Sequence, residues 1–226
     1  MINIKKFCFN PMQTNCYVLN DGNCAIIIDP CCYFDYEKQE LDDYITSNNF
    51  KVEHILVTHM HPDHILGLNW CQKKYGVIAE GPDNENHWVE IGKKSAKQIG
   101  FNIDNDISPL TKSLSTGFIS WGDDASIEVI STPGHSPGHL SYIIYDKFSS
   151  SSKGIFCGDV VFKNGIGRYD FPDSNYEDLQ KSIKTVSIKS NRIYPGHGEP
   201  FDSYEIYKPD KEENQKVSFW KKLFGY

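Results

Sequence analysis

The residues whose types and spacing suggest chemistry are concentrated in one short segment, 58–64, which reads THMHPDH. Side chains two positions apart on an extended backbone point the same way, so His59 and His61 can reach one metal ion. Asp63 and His64 follow a proline turn and can face a second ion. Zinc, iron and manganese all accept neutral imidazole and carboxylate ligands. The segment therefore predicts a metal site rather than a solvated loop.

Three later segments repeat one pattern, in which a predicted strand ends in a short turn with one potential ligand. These ligands are His135, Asp159 and His197, and each has a neighbouring glycine. Strands that end along one sheet edge bring their turns together, and ligands commonly bind at such an edge. Glycine lets the backbone turn tightly and approach an ion closely. The three residues are thus candidate partners of the first segment.

The hydrophobic periodicity predicts the elements that must position these side chains. Strands are expected at 2–9, 15–20, 24–29, 77–80, 113–131 with a break at 121–124, 139–146 and 154–162. Helices are expected at 34–48, 63–74, 84–98 and 174–186. The last helix is predicted to begin with a capping box of Ser174 and Glu177 and to bury Tyr176. Residues 149–152 are predicted to form a hairpin tip. Two groups of strands followed by helices favour two sheets packed face to face with helices outside.

Length and composition exclude several classes of protein. The 226 residues fit one domain over 1–226, with 210–226 as a C-terminal tail or short helix. The net charge of −7, without a basic cluster, disfavours a nucleic-acid partner. The sequence shows neither an apolar run of membrane-spanning length nor a secretion signal, so we expect no membrane partner. Seven cysteines without a CxxC pair are typical of free thiols in the cytoplasm. Monomer and homodimer both stay open.

The ligand motifs resemble the five-part signature of the metallo-β-lactamase fold superfamily, and within it the glyoxalase II-like hydrolases. The supporting stretches read NCYVL at 15–19, IDP at 28–30, TPGHSPG at 132–138, GDVVF at 158–162 and GIGRYDF at 165–171. They occur in the order of the family and cover roughly the first two hundred residues. The resemblance implies an α/β (α+β) fold, a four-layer αββα sandwich of two mixed β-sheets flanked by helices.

The resemblance also divides the seven ligands between two divalent ions: His59, His61 and His135 at the first, Asp63, His64 and His197 at the second, and Asp159 at both. Zinc is the favoured ion, and the same ligands accept iron or manganese. Two ions joined by one carboxylate can share a hydroxide, because binding lowers the pKa of water from about 15.7 to near 7. Asp63, Asp159 and His197 are therefore the candidate catalytic residues.

Four further residues are candidates for supporting roles. Asp29 and His139 are predicted to orient metal ligands by hydrogen bonds from behind them, with a turn cap and a structural histidine as the alternatives. Arg168 is a candidate clamp for a substrate carboxylate, and an internal salt bridge with Asp170 is the alternative. Tyr169 is predicted to line the substrate pocket, at a position where relatives often carry threonine.

The predicted function is a metal-dependent hydrolase in which a metal-bridging hydroxide cleaves a small acyl substrate, preferably a thioester. The full-length glutathione thioesterases of the family continue into a helical domain, whereas 29 residues follow His197 here. Glutathione as the leaving thiol therefore stays open. A mononuclear-iron persulfide dioxygenase is an alternative, since residues 167–171 resemble those enzymes as well. A non-catalytic metal-binding or sensor module is a second alternative, and the complete ligand set argues against it.

Overall fold

The computed structural model describes residues 2–123, 125–146 and 151–206. The predicted tail at 210–226 lies outside these residues, as do positions 149 and 150 of the predicted hairpin tip. The single domain over 1–226 stays a prediction.

The first sheet contains six strands: β1 (Asn3–Phe9), β2 (Thr14–Asp21), β3 (Cys24–Ile28), β4 (Lys51–Leu56), β5 (Glu80–Gly81) and β6 (Lys112–Ser113). They lie side by side in chain order. β1 to β3 form an antiparallel meander, and β3 to β6 are parallel. Parallel strands need crossover connections, which α1 (Asp35–Ser47), α2 (Leu68–Tyr75) and α3 (His87–Gln98) provide.

The second sheet contains β7 (Gly117–Trp121), β8 (Ala125–Ser131), β9 (Leu140–Asp146), β10 (Ser152–Gly158), β13 (Arg192–Pro195) and β14 (Phe201–Asp202). Its spatial order is β14-β13-β10-β9-β8-β7. β10 and β13 are parallel, and α4 (Tyr176–Lys189) connects them, whereas the other pairs are antiparallel. A small hairpin of β11 (Val161–Phe162) and β12 (Gly165–Ile166) precedes α4.

The alternation of apolar side chains along the strands separates three cores. On β2, Val18 packs in the core shared with α1 to α3, while Leu19 packs between the two sheets. Phe156 of β10 joins the core between the sheets, and Ile155 packs in the outer core with Leu179 of α4. Successive side chains on a strand point to opposite faces, so each sheet is covered on both sides. The predicted αββα sandwich of two mixed sheets is confirmed.

The helix predicted at 63–74 is wrong at its start. Residues Pro62–His64 form a single 3-10 turn, and α2 begins only at Leu68. The backbone N–H of Gly67 donates to the carbonyl of Pro30 (2.7 Å), and a side chain at Gly67 would overlap Cys32 Sγ. This close approach fixes the chain just before the helix. Asp63 therefore lies in this short 3-10 turn, and α2 begins five residues after it rather than at Asp63 as predicted.

The predicted capping box of α4 is also wrong. Asn175 is the N-cap, and its side chain accepts a hydrogen bond from the Asp178 backbone N–H (3.0 Å). The Ser174 hydroxyl instead donates to the carbonyl of His135 (2.7 Å). Tyr176, expected in the buried stripe, is 40% exposed, whereas Leu179 is buried as predicted. Ser174 thus supports a candidate ligand rather than the helix.

Candidate metal centre

The four ligand-bearing turns follow β4, β8, β10 and β13 and converge at one edge of the sandwich. The ligand atoms of His59, His61 and His135 lie within 4.8 Å of one another, and so do those of Asp63, His64 and His197. Asp159 forms a third such set with His59 and His64, one residue from each of the first two. We call the sets without Asp159 the first and second ligand groups. This is the division that the resemblance implies.

The first ligand group consists of three buried imidazoles. His135 Nδ1 donates to the carbonyl of Arg168 (2.8 Å), and its Nε2 lies 2.8 Å from His61 Nδ1. His59 Nδ1 lies 3.0 Å from Thr58 Oγ1. Burial lowers the pKa of all three histidines below the ordinary value, and neighbouring imidazoles lower those of His59 and His61 further. The group is therefore neutral and offers nitrogen lone pairs.

The second ligand group is charged, in contrast to the first. His64 Nε2 lies 3.5 Å from Asp63 Oδ2 and 3.3 Å from Asp159 Oδ1. His197 Nε2 lies 3.4 Å from Asp63 Oδ2 and 3.5 Å from Asp159 Oδ2. Burial disfavours the charged form of each of these four side chains, but the attraction between their opposite charges outweighs that effect. The carboxylates raise the pKa of His64 to about 10 and that of His197 to about 11. The pKa values of Asp63 and Asp159 fall below their usual range in return.

Two buried imidazole nitrogens of the first ligand group, His59 Nε2 and His61 Nε2, have no hydrogen-bond partner among the described residues. A buried polar atom without a partner costs roughly 1–3 kcal/mol, so such atoms are rare and need an explanation. Here both nitrogens belong to one ligand group and carry lone pairs, because each ring donates its proton from Nδ1. The residues present therefore fit a bound cation.

Asp29 contacts the second ligand group directly, at His64, and the first group through Thr58. Its Oδ2 accepts from His64 Nδ1 and from Thr58 Oγ1, both at 2.9 Å, and its Oδ1 accepts from the Thr58 backbone N–H at 2.8 Å. Since Thr58 Oγ1 also accepts from His59 Nδ1, the carboxylate fixes the tautomers of two imidazoles. Asp29 adopts a left-handed backbone conformation (φ 52°), which aspartate tolerates better than most residues. Asp29 thus lies behind His64 directly and behind His59 through Thr58.

His139 supports the backbone of Asp159 rather than a ligand imidazole. Its Nε2 accepts from the Asp159 backbone N–H (3.3 Å), and its Nδ1 donates to Thr132 Oγ1 (3.0 Å). Thr132 Oγ1 lies 2.7 Å from Ser141 Oγ, which completes the chain of hydrogen bonds. Burial lowers the pKa of His139 well below the ordinary value, so it stays neutral.

Four side chains next to the centre were missed in the sequence: Asn10, Thr14, Glu85 and Trp88. Thr14 Oγ1 donates to Asp63 Oδ2 (2.9 Å), and Asn10 Nδ2 donates to the carbonyl of Asp63 (3.0 Å). The Trp88 ring packs on His61 at a centroid distance of 4.4 Å. These residues lie 25 or more positions from their partners, and no local pattern marks them.

The Arg168 side chain pairs with Asp170. This is the internal salt bridge that the sequence left open as the alternative to a substrate clamp. Its Nε and Nη2 donate to the two carboxylate oxygens at 2.8 and 3.0 Å. The guanidinium stacks 4.2 Å above the Phe171 ring, which itself lies 4.8 Å from the His61 ring. Arg168 therefore borders the first ligand group, and its side chain is 21% exposed. Tyr169 packs against Tyr176 (4.7 Å).

Comparison with known proteins agrees with this geometry. The family model of the metallo-beta-lactamase superfamily matches residues 9–197. The hydroxyacylglutathione hydrolase GloC of Haemophilus influenzae is 32% identical over 219 residues, covering 94% of this chain and 97% of that protein. Among solved structures, the BLEG-1 B3 metallo-beta-lactamase has a TM-score of 0.74 at 27% identity, covering 90% of this chain and 95% of that one. TTHA1623, crystallised in a di-iron-bound form, has a TM-score of 0.72 at 26% identity, covering 89% and 96%.

The chain belongs to the metallo-β-lactamase superfamily, whose members bind divalent metal ions. Within that superfamily it is a metal-dependent hydrolase of the glyoxalase II-like kind. No helix within the described ranges is long and apolar enough to cross a bilayer.

Proposed function

We propose that this hydrolase cleaves a small acyl thioester at a centre of two divalent ions, with the first ligand group at one ion, the second at the other and Asp159 at both. One observation carries the proposal: the Asp159 carboxylate reaches both groups. Its Oδ1 lies 3.3 Å from His64 Nε2, and its Oδ2 lies 3.6 Å from His135 Nε2 and 3.5 Å from His197 Nε2. A carboxylate between two cations offsets their repulsion and lets them lie close together.

Two divalent ions, when bound, supply Lewis acidity toward a carbonyl oxygen and acidify water near neutral pH. The chain supplies orientation and a partly dry site. His59 and His135 are buried, whereas the side chains of Asp63 and His197 are 20% and 28% exposed. Substrate and water therefore reach the centre from the side of Asp63 and His197. Together with Asp159, these two residues are the proposed catalytic group.

The thioester class is supported by the relative from Haemophilus influenzae, whose name describes hydrolysis of an acylated glutathione. The ligand set contains no thiolate, so zinc, iron and manganese all suit it. We propose zinc, and the di-iron form of TTHA1623 makes iron the ion to compare. The seven cysteines are all free thiols, which supports a cytoplasmic location.

The test combines elemental analysis of protein purified without added metal with a thioester panel. The panel contains an S-acylglutathione, an acyl-coenzyme A and a small neutral thioester, and thiol release is followed with a thiol reagent. We expect two ions per chain and release of thiol from at least one panel member. One iron per chain with oxygen consumption on a persulfide would identify the dioxygenase alternative. Two bound ions without turnover of any thioester would favour the non-catalytic alternative.

A further inference from the structure

We propose that two separate parts of the chain position the two metal sites: the Glu85 carboxylate positions the first ligand group, and Thr14 with its turn positions the second. The inference rests on the proposed two-ion centre and assigns positioning roles to Glu85 and Thr14. Neither residue is itself a candidate ligand. The consequence is that the affinity of each site for its ion can be changed without changing the other.

Glu85 joins the two loops that carry all three ligands of the first group. Its side chain is completely buried, and its Oε2 accepts from the backbone N–H of Met60 (3.0 Å) while its Oε1 accepts from that of Gly138 (2.6 Å). Met60 lies between His59 and His61, and Gly138 lies three residues after His135. A buried carboxylate is costly unless its oxygens are hydrogen bonded. The pairing therefore fixes the distance between the two loops.

The segment around Glu85 is itself anchored. Asn86 Nδ2 donates to the carbonyl of Leu110 (3.0 Å), and Asn86 Oδ1 accepts from the Leu110 N–H (2.7 Å). On the other side, a side chain at Gly92 of α3 would overlap the ring of Pro62. The helix that follows Glu85 thus lies directly against the ligand loop. The carboxylate is held by a rigid element, as a positioning group requires.

Thr14 and its turn hold two ligands of the second group. The hydroxyl of Thr14 donates to Asp63 Oδ2 (2.9 Å), and the carbonyl of Gln13 accepts from His197 Nδ1 (3.2 Å). Asn10 and Gln13 both adopt left-handed backbone conformations (φ 54° and 58°), which fold the turn toward the centre. Among the hydrogen bonds of the described residues, none links positions 10–15 to the first ligand group.

Hydrogen-bond partners of metal ligands typically change metal affinity by about 10- to 100-fold when they are removed. Glu85→Gln keeps the size of the side chain but replaces one acceptor oxygen by an amide donor, so one of the two backbone N–H groups loses its partner. Thr14→Val keeps the branched shape and removes the hydroxyl, which donates to Asp63 Oδ2 and also lies 3.3 Å from Asn10 Oδ1 in the same turn. Each substitution therefore acts on one ligand group.

The experiment measures each site by itself. His197→Ala removes a ligand of the second group and gives the first-site protein, whereas His61→Ala removes a ligand of the first group and gives the second-site protein. Glu85→Gln and Thr14→Val are each introduced into both proteins. The Kd for Zn²⁺ is then measured by competition with a chromogenic chelator. Glu90→Gln and Thr46→Val, the same substitutions at exposed positions, serve as matched controls.

We expect Glu85→Gln to raise the Kd of the first-site protein for Zn²⁺ by about 10- to 100-fold and to leave that of the second-site protein within twofold. Thr14→Val should produce the reverse pattern, and both controls should leave both values unchanged. Equal losses in the two proteins would show a general structural role and overturn the inference. Unchanged affinities in both proteins would overturn it as well.

Two further measurements keep the outcome unambiguous. Wild-type protein that binds one Zn²⁺ would contradict the proposed two-ion centre itself, whereas two bound ions without site selectivity would contradict only this inference. If Glu85→Gln cannot be purified folded, Glu85→Asp replaces it. Aspartate keeps both oxygens but is one methylene shorter, so it can reach only one of the two N–H groups. A smaller loss confined to the first-site protein is then expected, and any other pattern counts against the role of Glu85.

Discussion

Asp29 is the side chain whose replacement tests the construction of the centre most directly. Its carboxylate accepts three hydrogen bonds at 2.8–2.9 Å, two from Thr58 and one from His64 Nδ1. Asp29→Asn keeps the shape but replaces one oxygen with an NH₂ group. That group would face the hydroxyl of Thr58 and the ring N–H of His64, which are both donors. The substitution therefore removes acceptors without opening a cavity.

The expected loss follows from the number and type of these bonds. A hydrogen bond to a charged group contributes about 1.5–3 kcal/mol, and Asp29 is buried. We expect the free energy of unfolding of the metal-free protein to fall by about that amount. For a chain of this size, 1 kcal/mol shifts Tm by about 2–4 °C, so Tm should fall by roughly 3–12 °C. Because Asp29 supports both ligand groups, Zn²⁺ affinity at both sites should fall by about 10- to 100-fold.

The assay is thermal unfolding of metal-free protein followed by circular dichroism, together with Zn²⁺ titration of the same samples. Asp104→Asn is the matched control, because that carboxylate is 39% exposed and, among the described residues, forms one ion pair, with the exposed Lys97 (2.7 Å). Surface pairs of this kind contribute at most about 1 kcal/mol. An Asp29→Asn protein with unchanged Tm and unchanged affinities would refute the reasoning. A loss at the second site alone would show that Thr58 does not transmit the effect of Asp29 to the first.

Three further predictions concern the remaining parts of the centre. Asp159→Ala should leave a folded protein with at least one site weakened and hydrolysis largely lost; normal turnover at verified metal content would mean that Asp159 is not the shared ligand. Gly196→Ala should lower the free energy of unfolding by about 1–3 kcal/mol and weaken Zn²⁺ binding, because its Cβ would overlap Asp159 Oδ1. Gly165→Ala, the matched control, has open space around the new Cβ and should change neither Tm nor affinity. Arg168→Met should raise KM for anionic thioesters about tenfold and change KM for neutral thioesters by less than twofold. The increase is at the low end for a lost charge pair, because Asp170 already pairs with the guanidinium. Equal KM increases for both substrate types would remove Arg168 from the substrate-binding residues.

Local patterns and the family resemblance predicted the fold, and they also selected the seven candidate ligands, which the structure brings close together. Alternating apolar residues mark the strands, and the two-residue spacing of His59 and His61 follows the geometry of an extended backbone. The strand ends place His135 and Asp159 at the same edge. Each of these signals spans fewer than ten residues, so a single sequence shows them.

The residues that were missed act across long distances in the chain. Glu85 binds a backbone N–H 25 positions earlier and another 53 positions later, and Thr14 binds Asp63 from 49 positions away. A carboxylate that accepts from backbone N–H groups requires no particular residue type at its partner. The prediction of Ser174 as a helix cap is wrong for the same reason, because no local pattern indicates that its hydroxyl donates to the carbonyl of His135.

The two ligand groups solve the problem of burial in different ways. In the first group, burial lowers the pKa of His59, His61 and His135, so the imidazoles stay neutral and no buried charge needs compensation. In the second group, two carboxylates, with Asp29 behind His64, face two imidazoles whose pKa values are raised, so every buried charge has a neighbour of opposite sign. Burial of unpaired charge would be prohibitive. The folded chain can therefore assemble the centre before any ion binds, and the three cores between the four layers stabilise the fold.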